Sequence, residues 1–503
     1  MSNGSIYLLK VFSVKDVRQL EPKSLWNHFY DVNAIPRPSK KEERIIQLMV
    51  DFGKRLNLET TVDAVGNVIL RKQATAGLEN RKAVVLQSHL DMVHQKNSNT
   101  IFDFDTQGIN MLVDGDWVKA DGTTLGADNG LGVAAMMAIL SANDIPHPSI
   151  EALFTIDEET GMTGAMGLEG GILQGKILLN LDTEEDDEIG VGCAGGIDVT
   201  AKRSYREENT PAKTTAYKIA VTGLQGGHSG MDIDKGLGNA NKIMNRLLFH
   251  GVQHYGLRIS EIDGGGLRNA IPRESFANIV IDNISKESFV SGTNALIDTI
   301  SSELHPKEPY ISLEIKEIEP PKSVMDLGAQ KNFIKSIYAA FNGVYKMSQE
   351  IDDLVETSNN IARVVVRDGQ VQVKCLTRSS SESSKNDLAD SLGASFELAG
   401  FEVEYSGSYP GWQPHINSEI LTVLTTQYER LFHKKPRIVA CHAGLECGIL
   451  GQNYPQMDMI SLGPTIKGAH SPDEKVSISS VQKFWRFLLN ILKNIPEKST
   501  NIN

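Results

Sequence analysis

Side chains that ligate metal ions stand in short segments beside apolar runs of this sequence. The candidates of this kind are His89, Asp91, Asp128, Glu158, Glu159, Asp182 and His470. Imidazole and carboxylate ligands together suit borderline divalent cations, Zn²⁺ above all, with Mn²⁺ and Co²⁺ as alternatives. Two histidines and several acids predict a site for a pair of such ions.

The spacing within these segments assigns different tasks to neighbouring residues. His89 and Asp91 are two apart, so on an extended chain they point the same way, and Asp91 can fix the imidazole of a metal-ligating His89. Glu158 and Glu159 are adjacent and project in different directions, so that one can hold metal while the other reaches water. The glycines on either side of the Asp128 segment allow an unusual backbone that brings a carboxylate close to a cation.

Each segment also has a simpler interpretation. An isolated His-x-Asp is more often a surface or capping pair, and Asp128 alone is typical of a helix cap. Acidic runs such as 182–188 are usually solvated, and a lone histidine such as His470 is more often structural. The combination of all the segments at strand ends is what favours a metal site.

The apolar runs predict the elements that position these residues. Strands are expected at 67–71, 83–86, 151–156, 176–181 and 457–462, and helices at 41–56, 130–140 and 481–495. Continuous apolar strands alternating with helices are typical of an α/β fold, with a mostly parallel mixed sheet covered by helices on both faces. Open sheets of this kind place their sites at the carboxyl ends of the strands, where the candidate ligands lie.

The pattern changes near residue 200. Segments 217–221 and 276–281 alternate as in antiparallel strands, helices are expected at 239–250 and 288–304, and 363–376 predicts a hairpin around Asp368-Gly369. The serine cluster at 379–384 fits either a linker or a loop that starts a helix. We therefore expect an α/β domain, segments 1–200 and 406–503, interrupted by an inserted α+β domain at 201–405.

Composition excludes several classes of protein. The 503-residue chain carries a formal charge of −13, which argues against binding to nucleic acid or an anionic membrane surface. Its apolar stretch at 131–140 is far shorter than the roughly 20 residues of a membrane helix. The first residues lack the basic start of a secretory signal, and the four cysteines form no CxxC pair. These features predict a cytoplasmic protein.

Several longer strings carry a resemblance. They are LQSHLDMVHQKN (86–97), GTTLGADNG (122–130), GCAGGID (192–198), GGHSG (226–230), LRNAIPRE (267–274), YPGWQP (409–414), HAGLECG (442–448) and GPTIKGAHSPDE (463–474). In this order and spacing the sequence resembles the bacterial aminoacyl-histidine dipeptidases, from about residue 20 to 497. These belong to a superfamily of dizinc dipeptidases, aminoacylases and deacylases with a catalytic domain and a lid.

The resemblance implies a role for each metal-site residue. Asp128 would bridge two ions, with His89 and Asp182 completing one and Glu159 and His470 the other. Glu158 would be the general base and Asp91 would orient His89.

The resemblance also implies roles in the inserted domain. His228 would help to hold the oxyanion, and Asn269 and Arg378 would bind the terminal carboxylate of the substrate, a task that suits the fixed charge of arginine. His442 lies in a glycine-containing segment that could approach substrate. Taken alone, His228 is an incidental residue of a glycine turn, Asn269 a turn cap and Arg378 a surface charge.

The implied activity is hydrolysis of unblocked dipeptides, Xaa-His and others, by a homodimer whose inserted domain serves as lid and dimerisation domain. One alternative is an N-acyl amino acid deacylase or aminoacylase on the same scaffold. Another is a peptide-binding homologue without catalysis, against which the presence of a base at Glu158 argues.

Overall fold

The computed structural model describes residues 16–498, so the first residues, which were predicted to carry no secretory signal, lie outside the described residues. The chain divides into two compact units. One contains the chain up to residue 191 with 415–439 and the chain from 449 onward, and the other contains 192–414 and 440–448. The boundaries predicted from the sequence lie after residues 200 and 405, and the assignment of 440–448 to the second unit was not predicted. The roles predicted for the two domains remain predictions.

The first unit is built on an eight-stranded mixed sheet. Its strands follow the spatial order Glu59–Val62, Val68–Lys72, Ile150–Thr155, Val84–His89, Ile177–Asn180, Asp458–Ser461, Glu188–Cys193 and Arg437–Cys441. The strands from Ile150–Thr155 to Asp458–Ser461 in this order are mutually parallel. The predicted α/β fold with a mixed sheet is confirmed, and these four central strands are its parallel part; the neighbouring strands on either side pair antiparallel.

The apolar composition of the central strands explains why they lie in the middle of the sheet. Every residue of Val84–His89 and of Ile150–Thr155 is buried. A strand that is buried throughout must be covered on both faces, and parallel strands in α/β proteins read as continuous apolar runs for this reason.

Helices of the first unit cover this sheet and carry the caps that the sequence provides. Their bounds are Lys23–Asn33, Glu43–Arg55, Ala127–Ser141, Glu158–Gly161, Thr163–Gly167, Glu419–Phe432 and Ile478–Lys493, with Glu446–Asn453 belonging to this unit from residue 449 onward and a 3₁₀ turn at Val17–Gln19. Ser477 and Ser418 accept N–H groups of the helices that follow them, as serine does at an N-cap. None of the helices in residues 16–498 combines the length and apolar character needed to cross a membrane.

A small antiparallel sheet beside the large one was not predicted. It contains Ile466–Lys467, Lys475–Ser477, Trp117–Ala120 and Met111–Asp114, in that order. The first two strands pair with each other, so the segment between them, which carries His470, is the loop of a hairpin. The strand Trp117–Ala120 pairs with Lys475–Ser477 and leads into the segment that carries Asp128.

The second unit is an α+β structure with a largely antiparallel nine-stranded sheet. Its strands are Gly195–Ser204, Thr214–Thr222, Arg258–Gly265, Ser275–Asp282, Ser312–Ile318, Gly343–Met347, Val355–Arg367, Gln370–Ser379 and Glu402–Tyr409, with short pairs formed by Glu207–Asn209 with Ser323–Met325 and by Gly227–His228 with Ala270–Ile271. The helices are Ala240–Tyr255, Lys286–Leu304, Leu327–Ala339 and Glu382–Glu397, with a 3₁₀ turn at Asn283–Ser285. Their apolar faces join the sheet in one core that includes Leu247, Phe289, Phe333 and Phe396.

Two local predictions in this unit can be checked directly. The hairpin at Asp368-Gly369 forms, and both residues have the positive φ that a tight two-residue turn requires. The serine cluster is not a linker, because Ser379 ends a strand and Ser381 caps the helix Glu382–Glu397 through its side chain. The alternative of a loop that starts a helix is correct.

Candidate metal centre

The carboxylate of Asp128 lies between two histidines of the first unit. Its Oδ1 is 3.1 Å from Nε2 of His89, and its Oδ2 is 3.2 Å from Nε2 of His470. Each oxygen of one carboxylate therefore faces a different imidazole, which is the arrangement that a bridging carboxylate needs.

One further carboxylate stands beside each histidine. Asp182 Oδ1 lies 3.5 Å from His89 Nε2, and Glu159 Oε2 lies 3.0 Å from His470 Nε2. The result is two groups of ligand atoms that share Asp128, one with His89 and Asp182 and one with Glu159 and His470, each with all of its atoms within 4.8 Å of one another. All of these residues were singled out from the sequence.

The geometry of the two groups fits divalent ions. Ligand atoms about 2.0–2.2 Å from a tetrahedral ion are about 3.3–3.6 Å from each other, close to the separations described above. Glu159 also leaves one buried oxygen, Oε1, without a hydrogen-bond partner among the described residues. A buried carboxylate oxygen with no partner is costly unless a cation neutralises it, so the donor set fits a metal pair.

The carboxylates of the site raise the pKa of both histidines. Hydrogen bonding to Asp128 and Glu159 raises the pKa of His470 to about 11. Burial lowers the pKa of His89, but the neighbouring Asp182 and Asp128 outweigh it and raise this pKa well above its usual value. Burial, together with the charge of Asp128, raises the pKa of Asp182 to about 6. In the metal-free protein, protons on the imidazoles therefore supply the positive charge that metal ions would bring.

Asp91 connects the first histidine to the helix that carries the two glutamates. Its Oδ1 lies 3.3 Å from Nδ1 of His89 and accepts the backbone N–H of Glu158 at 3.0 Å. Its Oδ2 accepts the N–H of Glu159 at 3.2 Å and the hydroxyl of Ser39 at 2.7 Å. Burial opposes ionisation, but the hydrogen bond with His89 and the other donors lower the pKa of Asp91 to about 2. Asp91 thus contacts both His89 and the backbone of the two glutamates.

The fold explains why these residues converge. His89 is the last residue of its strand, Glu158 and Glu159 follow the neighbouring strand Ile150–Thr155, and Asp182 follows Ile177–Asn180. Because these strands are parallel and adjacent, their carboxyl ends meet at one edge of the sheet.

The second unit gathers most of its predicted residues in a separate cluster. Arg378 is almost fully buried, and its guanidinium donates to the hydroxyls of Tyr409 at 2.9 Å and Ser229 at 3.4 Å. His228 Nε2 lies 3.4 Å from Nη2 of Arg378, and burial, followed by the charge of Arg378, lowers the pKa of His442. Within residues 16–498 the guanidinium of Arg378 hydrogen-bonds to hydroxyls, and its charge also acts on the carboxylate of Asp198.

His228 in this cluster is held as a neutral donor. Its Nδ1 accepts the backbone N–H groups of Gly230 at 3.2 Å and Met231 at 3.0 Å, so the ring hydrogen is assigned to Nε2. Burial and the charge of Arg378 lower its pKa to about 4. Near neutral pH the Nε2–H and the guanidinium can therefore donate to one negatively charged group.

The other two predicted residues of this unit have different environments. His442 is buried, and its Nε2 lies 2.8 Å from Oγ of Ser358; burial is the main cause that lowers its pKa, to about 3. Asn269 is exposed, and its backbone oxygen accepts the N–H of Ser229, which follows His228. The main chain of Asn269 is therefore hydrogen-bonded to the turn that carries His228.

Two residues that hold side chains of these sites in position were not predicted from the sequence. Asn129 donates to the carbonyl of Leu181 at 2.9 Å and to the carboxylate of Asp182, so it fixes that ligand. Tyr409 supports Arg378 by accepting an N–H of its guanidinium with the hydroxyl oxygen. Asn129 and Tyr409 stand inside the strings GADNG and YPGWQP, where their position beside a predicted ligand or glycine turn was the available signal.

Two ligand groups around one shared carboxylate, at the edge of a mixed α/β sheet, form a candidate dinuclear metal centre. The sequence pattern of peptidase family M20/M25/M40 matches residues 85–494. The chain belongs to this family.

Individual relatives extend over nearly the whole chain. The chain is 44% identical over 485 residues to the cytosol non-specific dipeptidase of Escherichia coli strain K12, covering 96% of this chain and 100% of that protein. The crystal structure of aminoacylhistidine dipeptidase from Vibrio alginolyticus is similar with a TM-score of 0.91 at 44% identity, covering 96% of this chain and 99% of that one. Aminopeptidase PepT from Bacillus cereus shares the fold alone, with a TM-score of 0.56 at 16% identity over 95% of this chain and 99% of that one.

Proposed function

We propose that this protein hydrolyses the peptide bond of unblocked dipeptides, including those that end in histidine, with the help of two divalent metal ions. The observation that carries the proposal is the division of the Asp128 carboxylate between two ligand groups, one at each oxygen. Two relatives whose names describe dipeptidases, each 44% identical over nearly the full chain, support dipeptides as the substrate class.

His89, Asp128 and Asp182 would hold one ion, and Asp128, Glu159 and His470 the other. Zn²⁺ suits two imidazoles among carboxylates, and Mn²⁺ or Co²⁺ could replace it. When bound, such a pair of ions acts as a Lewis acid and lowers the pKa of water.

Glu158 is proposed as the general base. It belongs to a group with His89 and Glu159 whose ligand atoms lie within 4.8 Å of one another, and its backbone is fixed by Asp91. Its carboxylate would accept the proton of the attacking water and then donate it to the leaving amine. Asp91 would hold His89 and the backbone of Glu158 in position during the reaction.

The cluster of the second unit is proposed to bind the substrate. Arg378 would pair with the terminal carboxylate of a dipeptide, since a guanidinium offers two parallel donors to a carboxylate. The Nε2–H of His228 would stabilise negative charge on the substrate, with Asn269 and His442 as further contacts. We also propose a cytoplasmic homodimer in which 201–405 serves as lid and dimerisation domain; the name of the E. coli relative supports the location.

The decisive experiment is a substrate profile of the purified protein reconstituted with Zn²⁺ or Mn²⁺. We expect hydrolysis of a broad panel of dipeptides, including Xaa-His, and slower hydrolysis of the matching N-acyl amino acids. Faster hydrolysis of the N-acyl series would identify a deacylase instead, and a panel left intact by metal-loaded protein would favour a peptide-binding homologue. Sedimentation velocity tests the dimer separately.

A further inference from the structure

A buried carboxylate outside the proposed ligand set holds the segment that carries Asp128. Both oxygens of Glu474 accept backbone N–H groups of that segment: Oε2 from Leu125 at 2.7 Å and Gly126 at 2.9 Å, and Oε1 from Ala127 at 2.8 Å and Asp128 at 3.3 Å. The left-handed φ of +70° at Gly126 turns the chain here, and successive N–H groups in such a turn converge on one anion. The main chain of Asp128 is thus tied directly to Glu474.

Glu474 also belongs to the hairpin that carries His470. The loop between the strands Ile466–Lys467 and Lys475–Ser477 contains both residues, and Glu474 directly precedes the second strand. One carboxylate therefore joins the segments of two different ligands.

A buried arginine also fixes the segment that carries Asp128, through the carbonyl of Gly126. Arg37 is fully buried; its Nη2 donates to the carbonyl of Gly126 at 2.6 Å, and its Nη1 donates to the carbonyls of Leu90 at 3.0 Å and Asp91 at 2.9 Å. Arg37 therefore connects the Asp128 segment to the strand end that carries His89. A guanidinium can do this because its donors are fixed in a planar fork, which an ammonium lacks.

We infer that Glu474 and Arg37 are positioning residues for the metal pair. Together they tie the segments of His89, Asp128 and His470 into one frame, so that the carboxylate of Asp128 is presented to both ligand groups. This inference rests on the proposed function, because the metal pair is part of it. Neither residue is a ligand: Glu474 acts on metal affinity through the backbone of Asp128, and Arg37 acts through the backbone of Gly126, Leu90 and Asp91.

The shared position of Asp128 gives the inference a specific consequence. Loss of Glu474 should weaken both ions together, since both groups contain Asp128, whereas loss of Asp182 should weaken only the ion next to His89. Outer partners of metal ligands typically contribute about 10- to 100-fold in affinity, and we expect a loss in this range for Glu474→Ala and Arg37→Lys.

The test is titration of the metal-free full-length protein with Co²⁺, followed by its visible absorption spectrum, with calorimetric titration of Zn²⁺ alongside. Glu474→Ala is the main variant, and Glu474→Gln keeps the shape and one acceptor if the alanine variant does not fold. Asp473→Asn removes the same charge from the neighbouring exposed position and should bind both ions as the wild type does. Asp182→Asn provides the one-ion comparison.

We expect Glu474→Ala to bind both Co²⁺ ions more weakly, with an altered spectrum and a lowered thermal transition because four N–H groups lose their acceptor. Glu474→Gln should lie between it and the wild type. Wild-type affinity and spectrum in both Glu474 variants would overturn the inference. A lower thermal transition with unchanged metal binding would overturn it as well, because it would make Glu474 a structural brace only. Metal titration uses no peptide, so failure of the dipeptidase assay would leave this result intact.

Discussion

Oδ1 of Asp91 accepts the backbone N–H of Glu158 at 3.0 Å while it faces the imidazole of His89. The residue that orients a proposed metal ligand thus also fixes the proposed base. The two roles are coupled through one buried carboxylate, and substitution of Asp91 should affect both.

Asp91→Asn should lower both kcat and Zn²⁺ affinity, each by about 10- to 100-fold. An amide offers one oxygen to three N–H or O–H donors and a hydrogen to His89, so the helix start and the imidazole both lose their support. Steady-state kinetics and calorimetric titration measure the two effects. Ser39→Ala, which removes only the hydroxyl donor to Oδ2, is the matched control and should change both values far less. Unchanged metal affinity in Asp91→Asn would show that Asp91 does not support His89 as a metal ligand.

Glu158→Gln should reduce turnover by about 10²- to 10⁴-fold, the usual contribution of a general base. Gln has the same shape but cannot take the proton of the attacking water. Metal analysis should still find two ions per chain, whereas Glu159→Gln should lose one. Equal metal loss in the two variants would show that Glu158 is a ligand.

His228 should remain neutral down to low pH, because burial and Arg378 lower its pKa to about 4. The folded state resists a proton that the unfolded chain accepts at about pH 6.5, so this group leaves stability unchanged above pH 6.5 and reduces it as the pH falls from there to about 4. Histidine-selective NMR, with His228→Gln to assign the signal, measures the midpoint. A midpoint near 6.5 would contradict the buried, arginine-facing environment.

Metal binding near neutral pH should release protons. The pKa of His470 is raised to about 11 in the metal-free protein, so the ring is charged there and must lose its proton to ligate an ion. The interaction of charged His470 with Asp128 and Glu159 stabilises the metal-free fold fully below about pH 6.5, and this stabilisation declines as the pH rises from there and is lost by about pH 11. Calorimetry of Zn²⁺ binding in buffers of different ionisation enthalpy counts the protons. Binding without proton release would show that His470 is neutral before metal arrives.

Gly126→Ala should destabilise the metal-free protein and weaken metal binding. Its φ is +70°, and an added Cβ would also strike the guanidinium of Arg37 and the side chain of Met92. Gly77 has a φ of +85° with nothing nearby, so Gly77→Ala isolates the conformational cost, about 1–2 kcal/mol. In thermal unfolding, Gly126→Ala should lower the transition temperature more than Gly77→Ala does. In Co²⁺ titration, only Gly126→Ala should lower the metal affinity. Equal losses of stability in the two variants would show that the contacts of Gly126 with Arg37 and Met92 contribute nothing beyond the conformational cost.

The ligand-bearing segments could be predicted because their physics is local. His89, Glu158, Glu159 and Asp182 each follow a continuous apolar run, and such runs form parallel strands whose carboxyl ends meet. Residue types at those ends therefore indicate the site without knowledge of the strand order.

Other features of the site depend on partners that are distant in the chain. Glu474 looks like one more surface acid in GAHSPDE, and its burial becomes visible only when the 125–128 segment closes around it. Arg37 stands in a turn-like string, IPRPS, that predicts no buried charge. The hairpin around His470 was missed because its strands are two and three residues long, too short for alternation to be read.

The hydrogen bonds from Leu125 and Gly126 to Glu474 join positions that are 349 and 348 residues apart in the chain. A nascent polypeptide that has left the ribosome as far as residue 191 already contains His89, Asp128, Glu159 and Asp182, but the acid that orders the Asp128 segment and the second imidazole have yet to be translated. Completion of both ligand groups, with the acid that orders the Asp128 segment, therefore requires translation of the chain as far as residue 474.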